Sequence, residues 1–283
     1  MTRAGVFFSC RCFIKRGIIY SIVNLNIIDT HSHLDDVQDL KAALKNAKLS
    51  GVEAVIAAGV NRASDEKILD IAKAFKNQTE YPHIYPAMGL HPGDIKTYES
   101  DDIFKFIEGH VKEIVAIGEL GLDYWYKDAR KPGEVRELQG HILTKQLDIA
   151  KRHDKPIIVH SRGAWKECLE KTRTFGIKKC VFHWYSGPED ILRDILAEGY
   201  FVSATPSCEY SPEHRRSIEI APLERLMLET DSPVMYKPPS GRYKSEPKDV
   251  VRVLKEVAKI KKIDEAEVAR VTTENAKRFF ELP

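Results

Sequence analysis

Eight short apolar segments alternate along this chain with longer segments of helical periodicity, and no other feature restricts its fold so strongly. The apolar segments lie at residues 26–29, 53–58, 83–88, 114–118, 156–159, 180–182, 200–203 and 225–228. The helical segments lie at residues 36–49, 64–77, 101–111, 133–152, 164–175, 188–198, 212–220 and 247–261. Apolar strands joined by helices are typical of a parallel sheet covered on both faces. Eight such units in about 250 residues predict a (β/α)8 TIM barrel, with an open doubly wound sheet as the alternative because strand order has no sequence signature.

Residues 26–283 are predicted to form one barrel domain. The chain has 283 residues, and its 43% apolar content is enough for a sizeable core. No Gly/Ser-rich linker and no internal repeat divides it. A last helix is predicted at residues 265–280, with Asp264 as its N-cap. Its apolar side chains are predicted to pack against the outside of the barrel: Val268, Val271, Ala276 and Phe279.

Residues 1–25 are predicted to be an N-terminal extension outside this domain. Basic residues interrupt its apolar run, so the run falls short of the roughly 20 residues that a membrane span needs. The five cysteines of the chain are scattered, and the Cys10-x-Cys12 pair lacks the second pair that a zinc site requires. Free thiols in a reducing cytoplasm are therefore expected, with no membrane association and no obligate protein partner.

Polar residues fall where the predicted strands end. Two histidines follow strand one, and further polar residues follow strands three, four, five, six and eight. The full set is His31, His33, His91, Glu119, Asp123, His160, Arg162, His183 and Asp231. In a TIM barrel the carboxyl ends of the strands converge on one face, where catalytic groups are found. The other histidines fall at strand starts or within or beside helices and are expected to be structural: His83, His110, His141, His153 and His214.

Imidazole and carboxylate groups in this pattern predict a metal site. Positions i and i+2 of a strand point the same way, so His31 and His33 can hold one ion. A central carboxylate can bridge two ions about 3.5–4 Å apart, as in two-metal hydrolases. Imidazole and carboxylate together suit zinc, manganese, nickel or iron, and four histidines and two carboxylates suffice for two such ions. The net charge of +2 excludes a global basic field, so a phosphodiester would be held by local groups or by metal.

Seven motifs, in order, resemble those of the TatD family of metal-dependent hydrolases, a branch of the amidohydrolase-like barrels. They are DTHSH (29–33), GLHP (89–92), GELGLDY (118–124), IVHSR (158–162), HWYSG (183–187), ETDSP (229–233) and TENAKRF (273–279). The resemblance runs from about residue 26 to residue 280. It implies a deoxyribonuclease fold and activity, with DNA as the substrate.

The resemblance also implies roles for the strand-end residues. His31, His33 and Asp231 would surround one ion. Glu119 would bridge to a second ion, which His160 and His183 would hold. His91 would lie near the substrate phosphate, and we add Arg162 as a phosphate contact because a guanidinium pairs well with phosphate oxygens.

The chain departs from the family pattern after the sixth strand, where many members have Cys-Phe and this chain has Trp184-Tyr185. These rings either stack a nucleobase or pack under a loop. Residues 237–243, with Lys237, Arg242 and Tyr243 and with Tyr236 directly before them, are likewise either a nucleic-acid-facing edge or a solvated loop. Both alternatives stay open from the sequence.

The sequence therefore predicts metal-assisted hydrolysis of a phosphodiester. A water activated at the two-metal site attacks phosphorus, Asp231 orients it and accepts its proton, and Glu119 and His91 complete the catalytic group. One alternative is an amidohydrolase that cleaves C–N or C–O bonds of a small molecule, although such enzymes often have a carbamylated lysine where this chain has Glu119. A second alternative is a metal-binding protein without catalysis.

Overall fold

The eight predicted strands pair in chain order to form one parallel sheet. A computed structural model describes residues 12–15, 18–21, 26–98 and 101–283. The strands are β1 (Ile27–Ser32), β2 (Val52–Ala58), β3 (His83–Met88), β4 (Ala116–Asp123), β5 (Ile157–Arg162), β6 (Cys180–Phe182), β7 (Phe201–Ala204) and β8 (Leu226–Leu228). Each strand is hydrogen-bonded to the next. This order is that of a barrel, because a doubly wound sheet reverses its strand order at a switch point.

The residues after β8 close the barrel against β1. Ser32 and Ser232 form a parallel bridge, and the backbone N–H of His33 donates to the carbonyl of Ser232 at 2.7 Å. The N–H of Asp231 donates to the carbonyl of His31 at 2.9 Å. The closure thus fixes the backbone of three predicted site residues relative to one another.

Within the described residues a helix follows each of these eight strands, and a ninth helix comes last in the sequence. The helices are α1 (Leu40–Leu49), α2 (Arg62–Phe75), α3 (Asp102–Gly109), α4 (Glu134–Arg152), α5 (Trp165–Phe175), α6 (Glu189–Ala197), α7 (Pro212–Ile220), α8 (Val250–Lys261) and α9 (Glu265–Phe280). The first helix begins later than predicted, because the Asp39 side chain accepts from the Ala42 N–H at 3.1 Å and caps the helix there. The α7 and α9 bounds are as predicted.

Two apolar layers form the core, and α9 belongs to both. One layer lies between the sheet and the helices and includes Val268. The other fills the barrel with side chains from all eight strands and also contains Ala276 and Phe279 of α9. The Phe279 ring lies 5.4 Å from that of Phe201, at the start of β7. The prediction that all of α9 packs outside the barrel is therefore wrong for Ala276 and Phe279, which close the end where the strands begin.

Two short hairpins lie outside the barrel sheet. Cys12–Lys15 pairs with Ile18–Ser21, and Met235–Tyr236 pairs with Tyr243–Lys244, so that residues 237–242 connect the two strands of the second hairpin. The rest of residues 1–25 lies outside the described residues, so the extension predicted there stays a prediction. Within the described ranges, none of the helices has the length and apolar character needed to cross a membrane.

Candidate active site

Three strands reach further along the chain than predicted, and this changes where the site residues lie. β1 runs to Ser32, β4 to Asp123 and β5 to Arg162. Several residues predicted to follow strands are therefore part of them: His31, Glu119, Asp123, His160 and Arg162. His160 hydrogen-bonds to both Glu119 and Asp123 at the barrel mouth, and the backbone pairing of β4 with β5 continues there beyond the apolar residues.

Glu119 lies at the centre of this mouth, and its Oε2 atom faces His31 of β1 and His33, which directly follows β1. Oε2 is 3.3 Å from His31 Nε2 and 3.4 Å from His33 Nε2. Asp231 lies on the other side of the same pair, with Oδ1 3.5 Å from His31 Nε2 and 3.2 Å from His33 Nε2. The three residues predicted to hold the first ion are thus together.

The other oxygen of Glu119 faces a different group of histidines. Oε1 is 2.7 Å from His160 Nδ1, 2.8 Å from His183 Nε2 and 3.5 Å from His91 Nε2. His160 and His183 are the pair predicted for the second ion. His91, predicted as a phosphate contact, lies within this group as well.

The approach of β4 to β5 depends on Gly121, in the GELGLDY motif. Its φ is +151°, and a Cβ atom there would lie 1.8 Å from the carbonyl oxygen of His160. Only glycine allows this contact without moving β5. The two strands therefore bring Glu119 and His160 within hydrogen-bond distance.

Opposite charges within this buried site shift the pKa values of its carboxyl and imidazole groups. Burial alone would raise the pKa of Glu119, but the surrounding histidines, His183 foremost, hold it well below its usual range. Burial opposes protonation of His33 and His183, yet the facing carboxylates raise the pKa of both well above the ordinary value. Burial lowers the pKa of His91 to about 3, so this imidazole is neutral near pH 7. The negative charge of the buried Glu119 is thus balanced by the protonated imidazoles of His33 and His183.

Two buried carboxylates orient the second pair of histidines. His160 donates from Nε2 to Asp123 Oδ2 at 2.9 Å, and His183 Nδ1 lies 3.3 Å from Glu229 Oε1. In both rings the remaining nitrogen faces Glu119. From the sequence, Asp123 lies at a strand end and Glu229 within a motif, and neither pattern indicates a role for the residue. The available signal was their position in the GELGLDY and ETDSP segments.

The donor set fits a metal ion. Three overlapping groups each bring three donor atoms within 4.8 Å of one another: His31, Glu119 and His183; His31, His33 and Asp231; and His91, Glu119 and His160. His33 donates from Nδ1 to the Ala58 carbonyl at 2.9 Å, so it too is held by one ring nitrogen while the other faces the carboxylates. Metal-binding histidines have this arrangement, in which a partner fixes the tautomer and the ring orientation.

Replacing Asp123 with Asn is expected to weaken metal binding by about 10–100-fold, because His160 loses its anionic partner. The measurement is the metal dependence of activity together with calorimetric metal titration. Asp148→Asn is the matched control, since Asp148 pairs with Arg152 on α4 away from the site. Equal metal affinity in Asp123→Asn and wild type would contradict the role given to Asp123.

An open cavity of about 970 Å³ lies above these groups. Arg162 lines it and donates from Nη2 to Asp123 Oδ2 at 2.8 Å. Trp184 also lines the cavity, whereas Tyr185 is buried and donates to the Pro188 carbonyl. Of the two rings after the sixth strand, only Trp184 is thus placed to meet a ligand.

Other aromatic and histidine residues singled out in the sequence are structural in this fold. Tyr236 is fully buried and donates to the Thr230 carbonyl at 2.9 Å. His214 is also fully buried, and it donates from Nδ1 to the Tyr185 carbonyl and accepts from the Thr205 N–H. The buried Tyr236 removes one aromatic ring from the nucleic-acid-facing edge considered for residues 237–243.

Comparison with known proteins points to one family. The family model described as TatD related DNase matches residues 28–281. A Homo sapiens protein named deoxyribonuclease TATDN3 is 31% identical over 264 residues, which cover 90% of this chain and 95% of the relative. The Bacillus subtilis metal-dependent hydrolase YabD is 29% identical, with 90% and 99% covered. The crystal structure of YjjV, a TatD homolog from Escherichia coli, superposes with a TM-score of 0.82 at 26% identity and covers 92% of this chain and all of its own. Because the family model spans nearly the whole barrel and the motifs coincide with the residues around Glu119, this chain belongs to the TatD related DNase family.

Proposed function

We propose that this protein is a metal-dependent hydrolase that cleaves phosphodiester bonds in DNA. One observation carries the proposal: the two carboxylate oxygens of Glu119 face two separate groups of histidines at the floor of an open cavity. A buried carboxylate so placed suits the bridge of a two-metal hydrolytic site. The deoxyribonuclease name of the human relative supports DNA as the substrate.

The proposed ligands divide between two divalent ions, with Mg²⁺, Mn²⁺ and Zn²⁺ as candidates. His31, His33 and Asp231 would hold the first ion, and His160 and His183 the second, with Glu119 shared between them. When bound, the ions lower the pKa of a coordinated water and polarise the phosphoryl group.

Asp231 is the proposed general base. Its side chain is almost fully buried, and although burial alone would raise its pKa, the hydrogen bond from His33 and the nearby charges of His31 and His183 lower it. Asp231 is therefore a carboxylate at neutral pH and can orient the attacking water and accept its proton. As the new P–O bond forms, the bond to the leaving oxygen breaks, and that oxygen takes up a proton.

His91 and Arg162 are the proposed contacts to the phosphoryl oxygens. His91 is neutral near pH 7 and can donate one hydrogen bond without adding charge. Arg162 supplies a cation that is already held in place by Asp123. The net charge of the chain is only +2, so these local groups, together with the ions, would have to stabilise the charge of the reacting phosphate.

The proposal also includes the extent of the hydrolase domain and its cellular location. Residues 26–283 are taken as the hydrolase domain, in line with the family match from residue 28 to 281. A cytoplasmic location is in line with the buried, unpaired thiols Cys168, Cys180 and Cys208.

The test is a substrate panel with controlled metal. Single- and double-stranded DNA, a phosphomonoester, an amide and an ester are each assayed with Mg²⁺, Mn²⁺ or Zn²⁺. We expect hydrolysis of DNA to dominate. Turnover of amides or esters with no nuclease activity in the same preparation would replace the proposal with the amidohydrolase alternative.

A further inference from the structure

Two aromatic rings stand exposed at the edge of the site cavity, on the loop between β4 and α4. Trp125 is 59% exposed and Tyr126 is 42% exposed, and both line the cavity that contains Glu119. Large aromatic side chains left in solvent beside a polar site mark a place where a ligand binds. Neither residue has a role that the sequence predicts.

The loop that carries these rings is tied to the catalytic residues by Asp123. Asp123 Oδ1 accepts from the Trp125 N–H at 2.8 Å, while its other oxygen accepts from His160 and Arg162. The Arg162 guanidinium carbon lies 5.6 Å from the centre of the Trp125 ring and 5.2 Å from that of Tyr126. These distances allow cation–π attraction to both rings.

The Trp125 indole is also seated against backbone. Gly163 directly follows Arg162 and has a φ of +73°. A Cβ atom at Gly163 would lie 2.8 Å from both Cδ1 and Nε1 of the indole, so only glycine leaves room for the ring. Trp125 is therefore held in place while more than half of its surface remains open, which lowers the entropic cost of stacking a ligand on it.

We propose that Trp125 forms a nucleobase-stacking subsite beside the scissile phosphate, with Arg162 as the adjoining phosphate contact. This inference rests on the proposed function and deepens it. A planar base can stack on the open part of the indole, and aromatic stacking of this kind tolerates any base because every base has a π-face. The substrate class is thus a nucleic acid with an unpaired base next to the cleaved bond, in contrast to a base-free phosphodiester.

The test uses a dinucleotide with a single phosphodiester bond, thymidylyl-thymidine, and two analogues in which either the 5′ or the 3′ base is 5,6-dihydrothymine. The saturated base keeps its size and hydrogen-bonding groups but is no longer planar or aromatic. We expect wild type to favour the unmodified dinucleotide over one analogue by about 10-fold in kcat/KM, mainly through KM. Trp125→Ala is expected to remove this preference, and Trp125→Phe to keep most of it. Leu49→Ala, an exposed apolar residue at the end of α1, is the control for the substitution itself.

The outcomes separate this inference from the proposed function. An unchanged preference in Trp125→Ala overturns the subsite. An equal loss on all three dinucleotides also overturns it, because such a loss indicates a structural role. If the wild-type protein cleaves neither the dinucleotides nor longer DNA, the proposed function itself fails. If it cleaves longer DNA and cleaves the three dinucleotides equally well, only the subsite is wrong.

Discussion

Glu119→Gln is expected to lower kcat for DNA hydrolysis by about 10³-fold or more. The amide keeps the shape of the side chain but replaces one oxygen with an NH₂ group, which cannot bind a cation. Either Oε2 would be lost from the His31 and His33 side or Oε1 from the His160 and His183 side. Whichever way the amide turns, one of the two groups of histidines loses its shared anion. Steady-state kinetics at saturating metal gives the measurement.

Glu53→Gln is the matched control for this change. Glu53 lies on β2 and accepts from Lys277 of α9 at 2.9 Å, at the end of the barrel where the strands begin. Its substitution is expected to leave kcat within about twofold, because surface charges away from a site have small effects. Circular dichroism and thermal unfolding are the checks that both variants fold. A Glu119→Gln variant with near wild-type turnover would refute the bridging role.

Removal of metal is expected to abolish turnover and to lower the free energy of unfolding by a few kcal/mol without unfolding the protein. An ion present at 100 times its dissociation constant stabilises the native state by about 2.7 kcal/mol. Part of that loss is compensated in the metal-free protein, because protonation of His33 and His183 balances the charge of Glu119 and Asp231. The barrel core and its closure do not involve the ions. The metal-free protein should therefore remain folded at neutral pH.

The measurement is urea unfolding followed by tryptophan fluorescence, before and after dialysis against EDTA and after return of each metal. Dialysis without chelator is the control for handling. Recovery of both activity and stability with the same metal is the expected result. Turnover that survives exhaustive chelation would remove the ions from the mechanism.

Much of the barrel was predictable because its signals are local. A run such as 83–88 is largely apolar over the length of one strand, and the predicted and observed bounds of that strand agree. The polar groups at strand ends then indicated one catalytic face, since parallel strands in a barrel all end on the same side. This is why the residues now found around Glu119 could be named from the sequence.

The sequence was less informative where polar residues continue a strand. β4 was predicted to end at residue 118, where the apolar run ends, but it extends to Asp123. The extension is stabilised by pairing with β5 and by the contacts of the buried Asp123 side chain with His160 and Arg162, which are distant in the chain. A pattern of local hydrophobicity contains no information about such partners.

The sequence by itself determined the parallel α/β architecture, the family and the identity of the residues at the barrel mouth. Only the tertiary structure decided which oxygen of Glu119 faces which histidines, and that Asp123 and Glu229 orient two of those rings. It also decided which aromatic residues meet the cavity: Tyr185 and Tyr236 are buried, whereas Trp125 is exposed. Side-chain direction and burial depend on contacts between strands and loops that are far apart in the chain. The sequence alone does not determine them, because packing, rather than residue type, selects among the conformations open to each side chain.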